Sequence, residues 1–216
     1  MKRRIAVYCI VVTAISLLVS CGTSEELLHP YTYKKQACNN IIDTNLFTAN
    51  ANNEFVTADL RKAYKDEKYA DYLKSRYSSL MSVMPEEIKS LMLYTFIDHW
   101  YGTKYRMGGW NENGIDCSGF AQKLYTEVFG IDLVRTSREQ FGSCRFVGEE
   151  EQLMEGDLVF FRIRGKRISH VGVYLMNSFF VHSAVNGGVM ISSLKDEYWN
   201  RRFAGAGYIP KEQLTQ

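Results

Sequence analysis

The hydrophobic period changes once along this chain, and that change limits the fold more than any other feature of the sequence. Leu60, Tyr64, Tyr72, Leu73, Tyr77, Leu80 and Met81 recur at helical spacing among lysines and acids. Ile88, Leu91, Met92, Phe96 and Trp100 mark a second helical face. Pro85 suits its first turn, Glu86 and Glu87 suit the positive end of its dipole, and Gly102 follows it as a stop. Phe120, Ala121, Leu124, Tyr125 and Val128 trace a third face, with Gly130 placed for a C-terminal cap. After residue 157 the runs become short and β-branched or aromatic: Asp157 to Ile163, Val171 to Met176, Phe179 to Ala184 and Val189 to Leu194. Helices first and strands later predict an α+β domain, with N-terminal helices packed on a meandering antiparallel sheet. The chain has 216 residues, enough for one such domain plus extensions.

The first extension reads as an address. Lys2, Arg3 and Arg4 precede an uncharged run from Ile5 to Val19. That run falls short of the about 20 residues a membrane span needs and matches the apolar core of a signal peptide. A short N-terminal membrane anchor is the competing reading. Leu18-Val19-Ser20-Cys21 resembles the lipobox of bacterial lipoproteins, which implies cleavage before Cys21 and acylation of its sulfur. Residues 22 to about 56 are polar and rich in asparagine (Asn39, Asn40, Asn45, Asn50, Asn52 and Asn53), and read as a tether. The helix from Leu60 either packs on the domain or offers its tyrosines and lysines to glycan or an anionic surface. The expected organisation is a lipoprotein signal over 1–20, a lipidated tether and amphipathic helix over 21–85, a catalytic domain over 86–210 and a tail over 211–216.

The formal net charge is +2, from 26 basic and 24 acidic residues, which gives no electrostatic case for nucleic-acid binding. Loss of Lys2, Arg3 and Arg4 with the leader turns that balance into −1.

Gly114-Ile115-Asp116-Cys117-Ser118-Gly119-Phe120 is the densest chemical signal. It places Cys117 at a helix N-terminus, where unpaired backbone N–H groups and the dipole favour a thiolate. Gly119 is expected to let a substrate backbone approach. A cysteine nucleophile needs a base. His29 lies in the tether, and His99 lies on the helix before Gly102 in a structural position. His170 and His182 fall in the strand region. A hairpin turning about Met176 with an odd-numbered loop sets them directly opposite each other on one face. One imidazole can then take the thiol proton while the other fixes its tautomer. Three ligands of a zinc site from Cys117, His170 and His182 are the rival reading, although no fourth ligand is evident. Ser118 as nucleophile lacks its usual Gly-x-Ser-x-Gly setting.

Taken in order, Tyr105-Arg106-Met107-Gly108-Gly109, Gly114 to Phe120, Arg135-Thr136-Ser137, Gly156 to Phe161, His170 to Tyr174 and Phe180 to Ala184 resemble the NlpC family. These are papain-like cysteine peptidases of the bacterial cell wall, and the likeness extends to the Spr-type murein endopeptidase lipoproteins. The tail is similar too, with Tyr198-Trp199 and Arg201-Arg202-Phe203 after Val189 to Leu194. The resemblance spans roughly residues 86–210. It implies a papain-like fold with the nucleophile Cys117 at a helix start, His170 as general base and acid, His182 orienting it, and Tyr105 near the oxyanion. It implies Asp116, Ser118, Arg135 and Ser137 around the substrate. The substrate implied is the peptidoglycan stem peptide, cut either at the D-Ala–diaminopimelate cross-link or between D-Glu and the diamino acid. No cofactor or metal is implied, and the protein is expected to be a monomer held to an envelope membrane through Cys21. Val134 departs from the family, which often has proline there, and the basic turn from Arg162 to Arg167 is a variable spot facing an anionic wall.

Two other classes fit the same residues. One is an acyltransferase or amidase on a related scaffold, and the other is a wall-binding lipoprotein without activity. The five cysteines leave Cys38 and Cys144 as a possible disulfide once Cys9 is discarded, Cys21 lipidated and Cys117 kept free.

Overall fold

The computed structural model describes residues 66–148 and 153–210. The signal, Cys21, His29, Cys38, the asparagine-rich stretch, Leu60, Tyr64 and the tail 211–216 lie outside the described residues.

Helix α1 spans Glu67–Met81, and Asp66 caps it by accepting from the Lys68 and Tyr69 amides at 3.0 and 3.4 Å. Its Leu73, Tyr77 and Met81 are fully buried, while Tyr72 and Leu80 stay exposed. The buried face packs on helix α2, Leu91–Trp100, where the Tyr77 and Tyr94 rings lie 5.1 Å apart. The Tyr69 and Tyr77 hydroxyls both donate to Asp98 of α2, at 3.3 and 3.1 Å. The core therefore reaches upstream of residue 86, and α1 is a packed helix.

Pro85 does not open α2. It starts a separate 3-10 turn, Pro85–Glu87, tied by the Met84 amide donating to Glu87 Oε2 at 2.7 Å. The expected face of α2 is also too narrow. Leu93, Tyr94, Phe96, Ile97 and Trp100 are buried, with Leu91 and Met92 only half-buried. The reason is packing on more than one side, by α1 and by helix α3, Cys117–Leu124, where Phe96 meets Phe120 at 5.8 Å. A π-helical turn, Tyr125–Phe129, prolongs α3 and stops at Gly130, whose φ of 64° is left-handed.

The sheet is built from β3 (Arg145–Val147), β4 (Leu158–Phe161), β5 (His170–Tyr174), β6 (Phe179–Ala184), β7 (Gly188–Ser193) and β8 (Phe203–Tyr208). Their spatial order is β3-β8-β4-β5-β6-β7, and every pairing is antiparallel. The four expected strands form the β4-to-β7 meander. Strand β8 was not expected, because Phe203-Ala204-Gly205-Ala206-Gly207-Tyr208 lacks β-branched residues. Its small residues have a steric cause. A Cβ at Gly207 would stand 2.4 Å from the Arg145 carbonyl oxygen.

Leu158, Phe160, Val171, Val173, Val181 and Val189 face the helices in the main core. Val159, Phe161, Tyr174, Phe180, Leu194 and Ala206 form a second cluster on the opposite face. Helix α5, Glu197–Asn200, supplies Trp199 to that second cluster. The β5–β6 hairpin turns through Asn177 and Ser178, both left-handed at φ 49° and 66°. The register, Val173 against Val181 and Tyr174 against Phe180, centres the hairpin on residue 177, not Met176. Asparagine tolerates the left-handed region, which fixes the turn one residue later than expected.

Candidate active site

The start of α3 is held by one carboxylate. Asp116 Oδ1 accepts from the Gly119 amide at 2.7 Å, and Oδ2 accepts from the Gly108 amide at 2.8 Å. Arg135 grips the same carboxylate with two nitrogens, at 2.9 and 2.8 Å, and also donates to Ser118 Oγ and the Gly109 carbonyl. Burial alone would raise the Asp116 carboxyl, but Arg135 and the two amides outweigh it and hold it below the usual range. Asp116, Ser118 and Arg135 thus come together as an internal clamp. Ser137 opens helix α4, Ser137–Ser143, and is half-buried. Buried Gln140 of α4 donates to the Ser118 and Val134 carbonyls at 3.1 and 2.9 Å, so α4 also steadies the Cys117 segment.

Gly119 is small for a different reason than expected. A Cβ there would lie 2.9 Å from the Gly109 carbonyl oxygen, 3.1 Å from Asp116 Oδ1 and 3.3 Å from Arg135 Nη2. The close approach is made by the protein's own loop. That loop leads into a two-stranded hairpin of β1 (Trp110–Asn111) and β2 (Gly114–Ile115), which runs straight into Asp116 and Cys117. Ser183 of β6 donates to the Ile115 carbonyl at 2.7 Å and ties this hairpin to the sheet.

Cys117 is buried, and burial pushes its thiol up to about 11. The negative charge of Asp116 acts in the same direction, whereas the backbone N–H groups of Val171, Ser118 and Cys117 itself pull it down. The helix start therefore stabilises the thiolate, as expected, but desolvation wins and the resting group is a thiol. The Val171 contribution brings the sulfur to the first residues of β5, next to His170.

His170 and His182 meet beside Phe161 and Phe180, with Nε2 of His170 2.8 Å from Nδ1 of His182. They are not directly opposite, because the hairpin centre at residue 177 puts Gly172 against His182 and makes the two histidines diagonal neighbours. Gly172 leaves this space free, since a Cβ there would collide with Phe180 at 2.5 Å. Burial lowers His170 to about 4. Burial, and then the charge of His170, lower His182 well below the ordinary histidine range. Both imidazoles are neutral at pH 7. Trp199, which the sequence reading named without a role, stacks on His170 at 5.3 Å and 23° and meets His182 edge-on at 4.6 Å. Ser192, also missed, lies with Oγ 3.0 Å from His182 Nε2. A serine in a strand carries no signal of its own, and only the register reveals it.

Tyr105 is half-buried just before the β1–β2 hairpin and bridges to Ile115. Burial raises its hydroxyl, as does the nearby negative charge possible on Cys117, while Arg164 of the basic turn pulls the other way. The hydroxyl therefore remains a donor. His99 pairs with Glu112 at 3.2 Å at the surface. Cys144 is a free thiol that donates to the Gln140 carbonyl at 3.2 Å, and burial pushes it up to about 12. Among the described residues, no three His, Cys, Asp or Glu side chains are grouped as metal ligands. The histidine nitrogens that face each other are already hydrogen-bonded to one another.

A buried thiol at a helix start beside a linked pair of strand histidines is the geometry of a thiol hydrolase, and comparison gives it a family. The model of the NlpC/P60 family matches residues 102–208. A probable endopeptidase NlpC homolog of Haemophilus influenzae is 39% identical over 148 residues, which are 68% of this chain and 76% of that protein. The chain belongs to the NlpC/P60 family. The murein DD-endopeptidase MepS/murein LD-carboxypeptidase of Escherichia coli K12 is 42% identical over 117 residues, 54% of this chain and 61% of that protein. The crystal structure of an NlpC/P60 family protein from Bacillus cereus superposes with a TM-score of 0.50 at 30% identity, over 55% of this chain and 39% of the other. The papain-like α+β fold of the family is thus the fold seen in α1 to β8.

Proposed function

We propose that the chain is a cysteine-type peptidoglycan endopeptidase of the bacterial envelope that cuts the D-Ala–diaminopimelate cross-link between stem peptides. The observation that carries this reading is the 2.8 Å bond between His170 and His182 beside the helix-start thiol of Cys117. The E. coli relative that covers this site is named a murein DD-endopeptidase, which favours the cross-link over the D-Glu bond.

In this mechanism His170 accepts the Cys117 proton as the sulfur attacks the amide carbonyl, so the charged pair forms only with substrate in place. The Tyr105 hydroxyl and the Cys117 amide donate to the tetrahedral oxyanion. His170 then protonates the leaving amine, and water hydrolyses the thioester. His182 holds His170 in the productive tautomer, and Trp199 keeps water from the pair. Asp116 and Arg135 fix the α3 start, while Ser118 and Ser137 border the approach of the stem peptide. The enzyme works as a monomer tethered through lipidated Cys21.

The test is incubation of the protein with purified sacculi and mass spectrometry of the released muropeptides. Conversion of cross-linked dimers to monomers is expected, with Cys117→Ala folded and inert. Hydrolysis by the Cys117→Ala protein, or fragments cut only at D-Glu, would reject the respective part of the reading.

A further inference from the structure

Three neighbouring strands carry a diagonal staircase of polar side chains in an otherwise apolar face. His170 on β5 reaches His182 on β6, and His182 reaches Ser192 on β7, with heavy-atom separations of 2.8 and 3.0 Å. The register explains the second step as it does the first. His182 pairs directly with Met190 and Phe180 with Ser192, so Ser192 is the diagonal neighbour of His182 on the same face. His182 is fully buried and Ser192 nearly so, and Phe161, Phe180 and Trp199 enclose the imidazoles.

A chain of this kind has two directions. In one, His170 Nε2–H donates to His182 Nδ1, and His182 Nε2–H donates to Ser192 Oγ. The remaining nitrogen of His170, Nδ1, then has a free lone pair and can accept the thiol proton. In the other, Ser192 Oγ–H donates to His182 Nε2, His182 Nδ1–H donates to His170 Nε2, and the His170 proton sits on Nδ1, where it blocks the base. Without the hydroxyl, the first direction leaves His182 Nε2–H buried without an acceptor, at a cost of about 1–3 kcal/mol, whereas the second leaves only an unfilled lone pair, so its loss moves population to the blocked tautomer.

We propose that Ser192 is a positioning residue for the reaction: as the acceptor for His182 Nε2–H it keeps the productive tautomers of both histidines populated and His170 Nδ1 available as the base. The inference rests on the assignment of His170 as general base. Its chemical content is one neutral acceptor at the far end of the chain, and no proton leaves Ser192.

The experiment compares Ser192→Ala, Ser192→Thr and Ser192→Val by two readouts. The first is nitrogen-15 NMR of the histidine rings in the resting protein, which needs no substrate. Wild type and Ser192→Thr should carry the His170 proton on Nε2, and Ser192→Ala and Ser192→Val should move population to Nδ1. The second is steady-state hydrolysis of a cross-linked muropeptide. The Ala and Val variants should lose at least about tenfold in kcat with KM retained, and Thr should recover most of it because it restores the hydroxyl. Thr and Val are nearly isosteric, so a loss caused by packing alone would affect both equally and would overturn the proposal. Unchanged tautomers in folded Ser192→Ala, or full kcat in that variant, would also overturn it. If wild type hydrolyses no muropeptide, the function assigned above fails, and the NMR comparison still decides what Ser192 does.

Discussion

At the residue scale the site is a neutral pair waiting for substrate. Burial holds His170 near 4 and Cys117 near 11, so neither group is charged at pH 7. Two consequences follow for pH. The proposed base is lost when His170 is protonated, so kcat/KM should rise as pH rises through about 4 and then level off across neutrality. An acid limb centred near 6.5 in the free enzyme would show an ordinary, solvated histidine instead. Stability moves in the same direction. Because the folded value lies below the unfolded one, the unfolded chain binds more protons between pH 6.5 and 4, and stability falls as pH drops through that window. Moving one buried histidine from 6.5 to about 4 corresponds to roughly 3 kcal/mol, complete above 6.5. Urea unfolding at pH 7 and pH 4.5 measures it. The two histidines also separate by role. His170→Ala removes the proposed proton acceptor and should abolish hydrolysis, whereas His182→Ala leaves that acceptor in place and should retain measurable turnover. Equal kcat losses in single-turnover assays would place both in proton transfer.

At the scale of elements, the α3 start depends on Asp116 as much as on Cys117. Asp116 accepts two backbone amides and the Arg135 fork. Asp116→Ala removes a cap worth about 1 kcal/mol and leaves Arg135 without its partner, so the melting temperature should fall by several degrees, at about 2–4 °C per kcal/mol in a domain near 150 residues. Hydrolysis should fall further than stability, because the Cys117 amide and sulfur are aimed by the same turn. Asp116→Asn keeps one acceptor and should lie between the two. Much of this element was legible beforehand. Phe120, Leu124 and Val128 gave its face, Gly130 its end and Cys117 its start, and the alternation in His170 to Tyr174 and Phe179 to Ala184 put both histidines on one face. Three things were not legible. The hairpin centre depended on Asn177 and Ser178 adopting left-handed backbone, a conformation that alternation does not encode. β8 hid behind small residues, of which Gly207 is a glycine because β3 approaches closely. Ser192 and Trp199 reach the site through long-range register and a four-residue helix, neither of which has a local pattern.

At the scale of the whole molecule, the proposed lipidation of Cys21 would connect the domain described from Asp66 onward to a membrane. The intervening 22–65 stretch can span at most roughly 150 Å, taking 3.3–3.6 Å per extended residue, which sets the outer limit of the wall the site can reach. With the proposed cleavage before Cys21 the chain would have a side-chain balance of −1, so bulk charge would not draw it to an anionic wall and position would come from the proposed anchor. Replacing Cys21 by serine separates these contributions. Cys21 is not among the residues proposed for catalysis, so the variant should hydrolyse soluble muropeptides at the wild-type rate. In cells, the variant should lose metabolic labelling by a clickable fatty acid and move from the membrane to the soluble fraction. Retained labelling would move lipidation to another residue, and membrane retention without labelling would mean that the apolar run from Ile5 to Val19 stays in place as the anchor. A loss of activity on soluble substrate would show instead that the N-terminal segment contributes to the site, which the core built by Leu73, Tyr77 and Met81 does not require.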